Sequence, residues 1–198
     1  MGKLSDFNLS GWTDTYKVFV ESGTGRGDGL RYAMGYDFSQ LYSTEIVTDL
    51  YNHLVPAFAE DARVKLFNLH APEFLDSLFA NYVSPSEPIV YYSDAHYPAS
   101  DVYGVPFDSE KDIDKRLPLQ KELEVFKKYG RKNDVILIDD LRIYRRCPPP
   151  VQNLEDIGLG HIAQYNDARF VYDLFGETHD VQEIYSDTGY LLIVPKTL

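Results

Sequence analysis

The stretch Val18-Phe19-Val20-Glu21-Ser22-Gly23-Thr24-Gly25-Arg26-Gly27-Asp28-Gly29 decides the fold. Its three apolar residues read as a buried strand, its glycines as a tight turn, and the residues after them as the start of a helix. Gly23, Gly25 and Gly27 let the backbone turn sharply and approach a ligand with no Cβ in the way. α/β proteins hold nucleotide-like cofactors on this kind of strand–loop–helix unit. A dinucleotide loop of the GxGxxG type, counted from Gly23 and Gly25, needs its third glycine at position 28, where this chain has Asp28. The pattern from Glu21 to Gly27 is instead acidic-x-Gly-x-Gly-x-Gly.

Working outward, short apolar runs alternate with amphipathic stretches, as in a parallel sheet covered by helices. Candidate strands lie at residues 17–20, 42–46, 64–67, 88–92 and 135–139. The run Val135-Ile136-Leu137-Ile138 is continuously apolar, as a central strand buried on both faces should be. Helical spacing links Leu50 with Leu54, and Tyr51 with Val55 and Phe58, although Pro56 should kink or shorten that helix. Phe74, Leu75, Leu78, Phe79 and Tyr82 form another apolar face, with Pro72 suited to a first turn. Leu119, Leu123 and Phe126 form a further one between Pro118 and Gly130. Pro148-Pro149-Pro150 marks a loop, and residues 181–185 and 190–194, joined by a short polar turn, read as a β-hairpin. Residues 94–117 form one long connection, and the whole chain, 1–198, reads as a single domain.

Composition narrows the function. A net charge of −12 over 198 residues disfavours nucleic acid as a substrate, which asks for a basic footprint. Arg142, Arg145 and Arg146 lie close together in sequence, and a solvated surface is the simpler account of them. The single cysteine, Cys147, can form neither an internal disulfide nor a zinc site by itself. No apolar run approaches the ~18 residues of a membrane helix, and no leader is apparent, so the cytoplasm is the expected compartment.

Ligands of an open parallel sheet gather at the carboxyl ends of its strands, which singles out the residues closing each one. Glu21 and the glycine loop, Thr24 included, close the first. Glu45 closes the second, about 20 residues beyond the loop, where a carboxylate can accept both ribose hydroxyls; it could also be a plain surface carboxylate. His70 follows the third strand, as a cofactor contact or, more simply, a hydrogen-bonded wall residue. Asp94 and His96 follow the fourth, and Asp139, Asp140 and Arg142 the fifth. If the fourth and fifth strands are neighbours, Asp94, Asp139 and Asp140 converge, and a hard divalent cation such as Mg²⁺ would relieve their repulsion. The alternative has Asp139 capping a turn while Asp94 meets the cofactor or substrate directly. His96, with an ordinary pKa near ~6.5, is the preferred general base, with loop shaping as its other account. Arg142 either anchors an anionic substrate group or pairs with a neighbouring acid. His161 and His179 read as structural.

The acidic-x-Gly-x-Gly-x-Gly loop with Glu45 downstream resembles class I S-adenosylmethionine (SAM) methyltransferases. Asp94 ending the fourth strand and Asp139-Asp140 ending the fifth resemble their cation-dependent O-methyltransferases, nearest to the macrocin O-methyltransferase type. The resemblance implies a Rossmann-like sheet, mostly parallel, ending in an antiparallel hairpin, with helices on both faces. It implies cofactor contacts at Glu21, Gly23, Gly25, Gly27 and Glu45 and a metal at Asp94, Asp139 and Asp140; the strand-end reading adds Thr24, His70 and Asp94 as cofactor contacts and Asp94 and His96 as catalytic residues. The expected activity is methyl transfer from SAM to a hydroxyl of a small molecule with Mg²⁺ assistance. The expected partners are that small molecule alone, with neither nucleic acid nor membrane, and self-association left open. Two other classes compete: a SAM-binding protein that is non-catalytic or completed by a partner, and an NAD-type oxidoreductase or epimerase. Asp28 and the hairpin count against the second.

Overall fold

A computed structural model describes residues 3–96 and 106–196. Its centre is a seven-stranded sheet of order β3-β2-β1-β4-β5-β7-β6. The strands are β1 (Val18–Ser22), β2 (Gln40–Thr44), β3 (Val64–Phe67), β4 (Ile89–Ser93), β5 (Val135–Ile138), β6 (His179–Ile184) and β7 (Tyr190–Pro195). The first five are parallel; β7 runs antiparallel to both β5 and β6, completing the expected terminal hairpin. The strand order reverses at β1/β4, and that switch point opens a crevice at the carboxyl ends.

Alternation along each strand feeds two cores. Val18 and Val20 of β1, Tyr91 of β4 and Ile136 and Ile138 of β5 point to one face. There they meet α3 (Ala71–Asn81), α5 (Leu119–Lys128) and α6 (Arg169–Phe175) through Phe74, Leu78, Leu123, Phe126 and Val171. Phe19, Leu41, Val90 and Leu137 point to the other face, against α1 (Asp28–Met34) and α2 (Thr48–Phe58) through Leu30, Leu50 and Leu54. Each such fully buried side chain contributes roughly 1.5–3 kcal/mol of hydrophobic stabilisation. Pro56 sits inside α2, which ends two residues later at Phe58, so the proline shortens the helix rather than excluding it.

Several boundaries differ from the sequence expectation for visible reasons. β1 runs on to Ser22, because Glu21 and Ser22 pair with both neighbouring strands and are buried despite their polarity. β2 stops at Thr44, whose carbonyl accepts from both Gly23 and Thr24 amides at 3.0 Å and so ends the ladder in the loop. The patterning also missed α6, the short α4 (Ile113–Arg116) and an N-terminal segment. In that segment, 3-10 turns at Leu4–Asp6 and Leu9–Gly11 bury Leu4 and Leu9 against the α1 side. Of the long connection at 94–117, residues 97–105 lie outside the described residues.

Candidate active site

The glycine loop is preformed by its neighbours. Gly23 has φ +82°, and a Cβ there would strike the Asp94 carbonyl and lie 2.9 Å from the Ala95 amide nitrogen. The loop therefore passes hard against the end of β4, and only glycine fits. Gly29, which the motif did not single out, is also close-packed: a Cβ there would collide with the Glu21 carboxylate. Thr24 Oγ1 and Ser43 Oγ are 2.7 Å apart, and Ser43 donates to Glu21 Oε2 at 2.7 Å. Burial pushes the Glu21 carboxyl up to about 8, with Asp94, Glu45 and Asp28 adding to the rise and Ser43 opposing it.

Beside this loop lies a cleft of roughly 310 Å³, walled by Glu21, Gly23, Thr24, Gly25, Tyr92 and Asp94 and closed on one side by Lys3, Leu4 and Ser5. The N-terminal wall is tied down: the Lys3 amide donates to Tyr190 Oη at 2.8 Å, and Phe7 packs edge-on against the Tyr190 ring at 4.9 Å. Glu21, Gly23, Thr24, Gly25 and Asp94 thus meet in one space. Gly27, Glu45 and His70 do not line it. Gly27 is the N-cap of α1. The buried Glu45 carboxylate accepts from the Gly25 amide at 3.0 Å and the Val47 amide at 2.9 Å, so it clamps the loop from behind. His70 is the N-cap residue of α3, with a buried Nε2 that has no hydrogen-bond partner among the described residues. The loop, its clamp and the cleft fit a nucleoside-bearing cofactor: small residues line open space, and carboxyls stand at its edge.

The acidic end at β4 and β5 is arranged differently. β4 and β5 are neighbours, so Asp94, Asp139 and Asp140 do come close, but Asp139 and Asp140 are already committed. Asp139 accepts from Tyr92 Oη (2.9 Å), Thr188 Oγ1 (2.7 Å) and the Asp140 amide (2.6 Å), occupying both its oxygens. Asp140 accepts from Arg142 Nε at 2.8 Å, which settles Arg142 as an ion-pair partner. His96 Nε2 lies between the remaining carboxylates, 3.1 Å from Asp140 and 3.4 Å from Asp94, shared by both and well aligned with neither. Among the described residues no group of three or more His, Cys, Asp or Glu is arranged to hold a metal ion. The three aspartates therefore do not fit Mg²⁺ as expected: His96 and Arg142 already answer their repulsion, and Asp139 is turned to hydroxyls and an amide.

The same geometry sets the protonation pattern. Burial pulls the His96 imidazole down, but Asp140 and Asp94 outweigh it and hold it well above its ordinary value. Burial pushes Asp140 up, and His96 and Arg142 more than reverse that. Burial raises Asp94, with His96 opposing, and raises Asp139 strongly with help from the charges of Asp94 and Asp140. Both carboxylates thus favour the protonated imidazole, a form with no lone pair to offer as a general base.

One functional candidate escaped the sequence reading. Glu122 of α5 is fully buried beneath β4, accepting from Ser93 Oγ at 2.7 Å. Its signal was available: position 122 falls on the apolar stripe of Leu119, Leu123 and Phe126, where a carboxylate is out of place. His179 is buried and bonded to Thr178, and His161 sits 4.0 Å from Asp108, both away from the cleft.

No protein-family model matches the chain, and no curated protein is similar to it in sequence. Solved structures are similar in fold. A Podospora anserina methyltransferase bound to S-adenosylhomocysteine (SAH) aligns with TM-score 0.59 and 17% identity, covering 91% of this chain and 72% of that one. A candidate caffeoyl-CoA O-methyltransferase from Staphylococcus aureus aligns with TM-score 0.57 and 12% identity, over 91% of this chain and 76% of that one. A SAM-dependent methyltransferase from Aquifex aeolicus aligns with TM-score 0.51 and 14% identity, over 96% and 85%. The chain therefore has the Rossmann-like fold of SAM-dependent methyltransferases, with its glycine-loop cleft at the switch point of the sheet.

Proposed function

We propose that this chain binds SAM in the glycine-loop cleft and transfers the methyl group to an oxygen of a small molecule. The observation that carries the reading is the cleft itself, where the glycine loop and Asp94 face one space at the carboxyl ends of β1 and β4. When bound, SAM supplies an electrophilic methyl group on a positively charged sulfur. Asp94 stands at the edge of the cleft as a carboxylate that can face a cationic ligand, while Glu21, raised to about 8, stays mostly protonated there near pH 7. Asp94 also lines a smaller pocket with Ser93, His96, Leu119, Ile143 and Tyr144, so it faces both the cleft and the approach to it from β5. Its raised carboxyl is a better proton acceptor than an ordinary aspartate, and it takes the acceptor hydroxyl's proton as the new C–O bond forms. The His96 ring, between Asp94 and Asp140, stands 3.4 Å from that carboxylate. The main contribution of the chain is alignment of donor and acceptor, which removes much of the entropic barrier. Magnesium is assigned no step, because Asp139 is committed elsewhere.

A second reading, a SAM-binding subunit whose partner completes the acceptor site, is favoured by one observation. The pocket beyond Asp94 has room for about one water molecule, some 10 Å³. Calorimetric titration with SAM, SAH and NAD, each with and without Mg²⁺, tests the common core of both readings. SAM and SAH should bind with affinities indifferent to Mg²⁺, and NAD should not. NAD binding with no response to SAM would overturn it, and turnover of labelled SAM with small hydroxyl acceptors separates the enzyme from the subunit.

A further inference from the structure

Glu122 offers a part for the site that neither the loop motif nor the acidic end supplies. It is fully buried on the apolar face of α5, between Leu119 and Phe126, where a leucine would pack without any cost of desolvating a carboxyl. Its Oε2 accepts from Ser93 Oγ at 2.7 Å, and its buried Oε1 has no hydrogen-bond partner among the described residues. Ser93 pairs in register with Ser22, whose Oγ is 2.7 Å from Tyr91 Oη and whose carbonyl accepts from the Asp94 amide at 3.0 Å. A small polar network thus runs from Glu122 through the last residues of β4 to the backbone of Asp94, on the side of the sheet away from the glycine-loop helix.

We propose that Glu122 is a positioning residue for the methyl donor. It fixes the Ser93–Asp94 end of β4 and places a second negative charge behind Asp94, favouring the sulfonium-bearing donor over its neutral product. This rests on the SAM reading above. The groups facing Glu122 are Tyr91 from β4, Asp94 beyond it, and Tyr144 after β5. Both tyrosines are pushed further up by burial and by Glu122 itself, so they stay neutral near pH 7. Burial raises Glu122 to about 7, while the hydroxyls of Ser93, Tyr91 and Ser22 pull it back down and Asp94 adds to the rise. The carboxyl can therefore change charge within the ordinary working range while remaining out of contact with water.

The test compares SAM with SAH, which differ by the sulfonium charge, in wild type and in the near-isosteric Glu122→Gln. A unit charge roughly 10 Å away at an effective dielectric near 20 changes an affinity by roughly tenfold. At pH 8, Glu122→Gln should weaken SAM binding by about fivefold to tenfold and change SAH binding by less than about twofold. At pH 6, where Glu122 is protonated, the two proteins should bind SAM alike. An equal loss for both ligands at pH 8, or no loss for either, overturns the proposal, since packing alone does not distinguish a sulfonium from a thioether. If Glu122→Gln fails to fold, Ser93→Ala serves instead. Without the serine hydroxyl Glu122 keeps its proton to higher pH, so the preference for SAM over SAH should emerge at higher pH, and an unmoved midpoint overturns the proposal. Wild-type protein that binds neither ligand overturns the donor reading and this inference with it, a result distinct from a wild type that binds both and a variant that treats them alike.

Discussion

At the β1–β2 end of the site, backbone amides do the organising: Gly23 and Thr24 donate to Thr44, Gly25 donates to Glu45, and the space in front of them stays open. At the β4–β5 end, side-chain charges do it, with His96 and Arg142 filling the room between the carboxylates. Parallel strands end side by side in both places, yet one end is left ready for a ligand and the other satisfies itself. Backbone groups held by a sheet cannot collapse onto each other, whereas aspartates with a histidine and an arginine in reach pair with them at once.

The largest expected effect breaks the open end. Gly23→Ala must adopt a left-handed conformation and push into the Asp94 carbonyl, so it should cost about 3 kcal/mol in urea unfolding and abolish measurable SAM binding. Normal stability and affinity would mean the loop is not the rigid element described. Asp139→Ala probes the closed end. It leaves Tyr92 and Thr188 hydroxyls buried without their acceptor, at about 2–3 kcal/mol, and should change nothing about Mg²⁺ response. Unaltered stability with loss of a Mg²⁺ effect would reverse the assignment of Asp139 and blur the contrast between the ends.

Glu45→Ala releases the Gly25 and Val47 amides, and SAM affinity should fall by roughly tenfold with a smaller change in stability. An unchanged affinity would show that the loop holds its shape without its clamp. The smallest effect concerns protons. Glu21 is raised to about 8, so the native chain binds more protons there than the unfolded chain between about pH 4.5 and 8, and stability falls as pH rises through that window. Glu21→Gln should flatten that fall and leave the protein at least about 1 kcal/mol more stable than wild type at pH 8.5. His96 acts in the same sense: its raised value stabilises below the unfolded pKa, and that contribution is lost as pH rises through the folded one. A Glu21→Gln melting profile parallel to wild type would mean that burial is not what holds the proton.

Much of this was legible in the residues themselves. The strand–glycine–helix unit, the five parallel strands and the final hairpin are local patterns, and periodicity carries them. Asp94 beside the glycine loop followed from the carboxyl-end rule once β1 and β4 were neighbours. What escaped depends on contacts distant in sequence. That Asp139 would turn to Thr188 and Tyr92 requires knowing that β7 lies next to β5. The state of His96 depends on two carboxylates from different strands, so its unperturbed pKa was a poor guide. The 3-10 turns before β1 are too short to show a period, and their role appears only in what they cover.

That cover has a consequence for how the protein is made. One wall of the cleft is the segment around Lys3 and Leu4, and it is anchored to Tyr190 across 187 positions of chain. Contacts of such long range form late, because the loop they close must first be ordered. During synthesis the wall leaves the ribosome well before its anchor does. The cleft of a nascent chain therefore stays unfinished until β7 has emerged, and competence to take up a cofactor marks completion of the whole sheet.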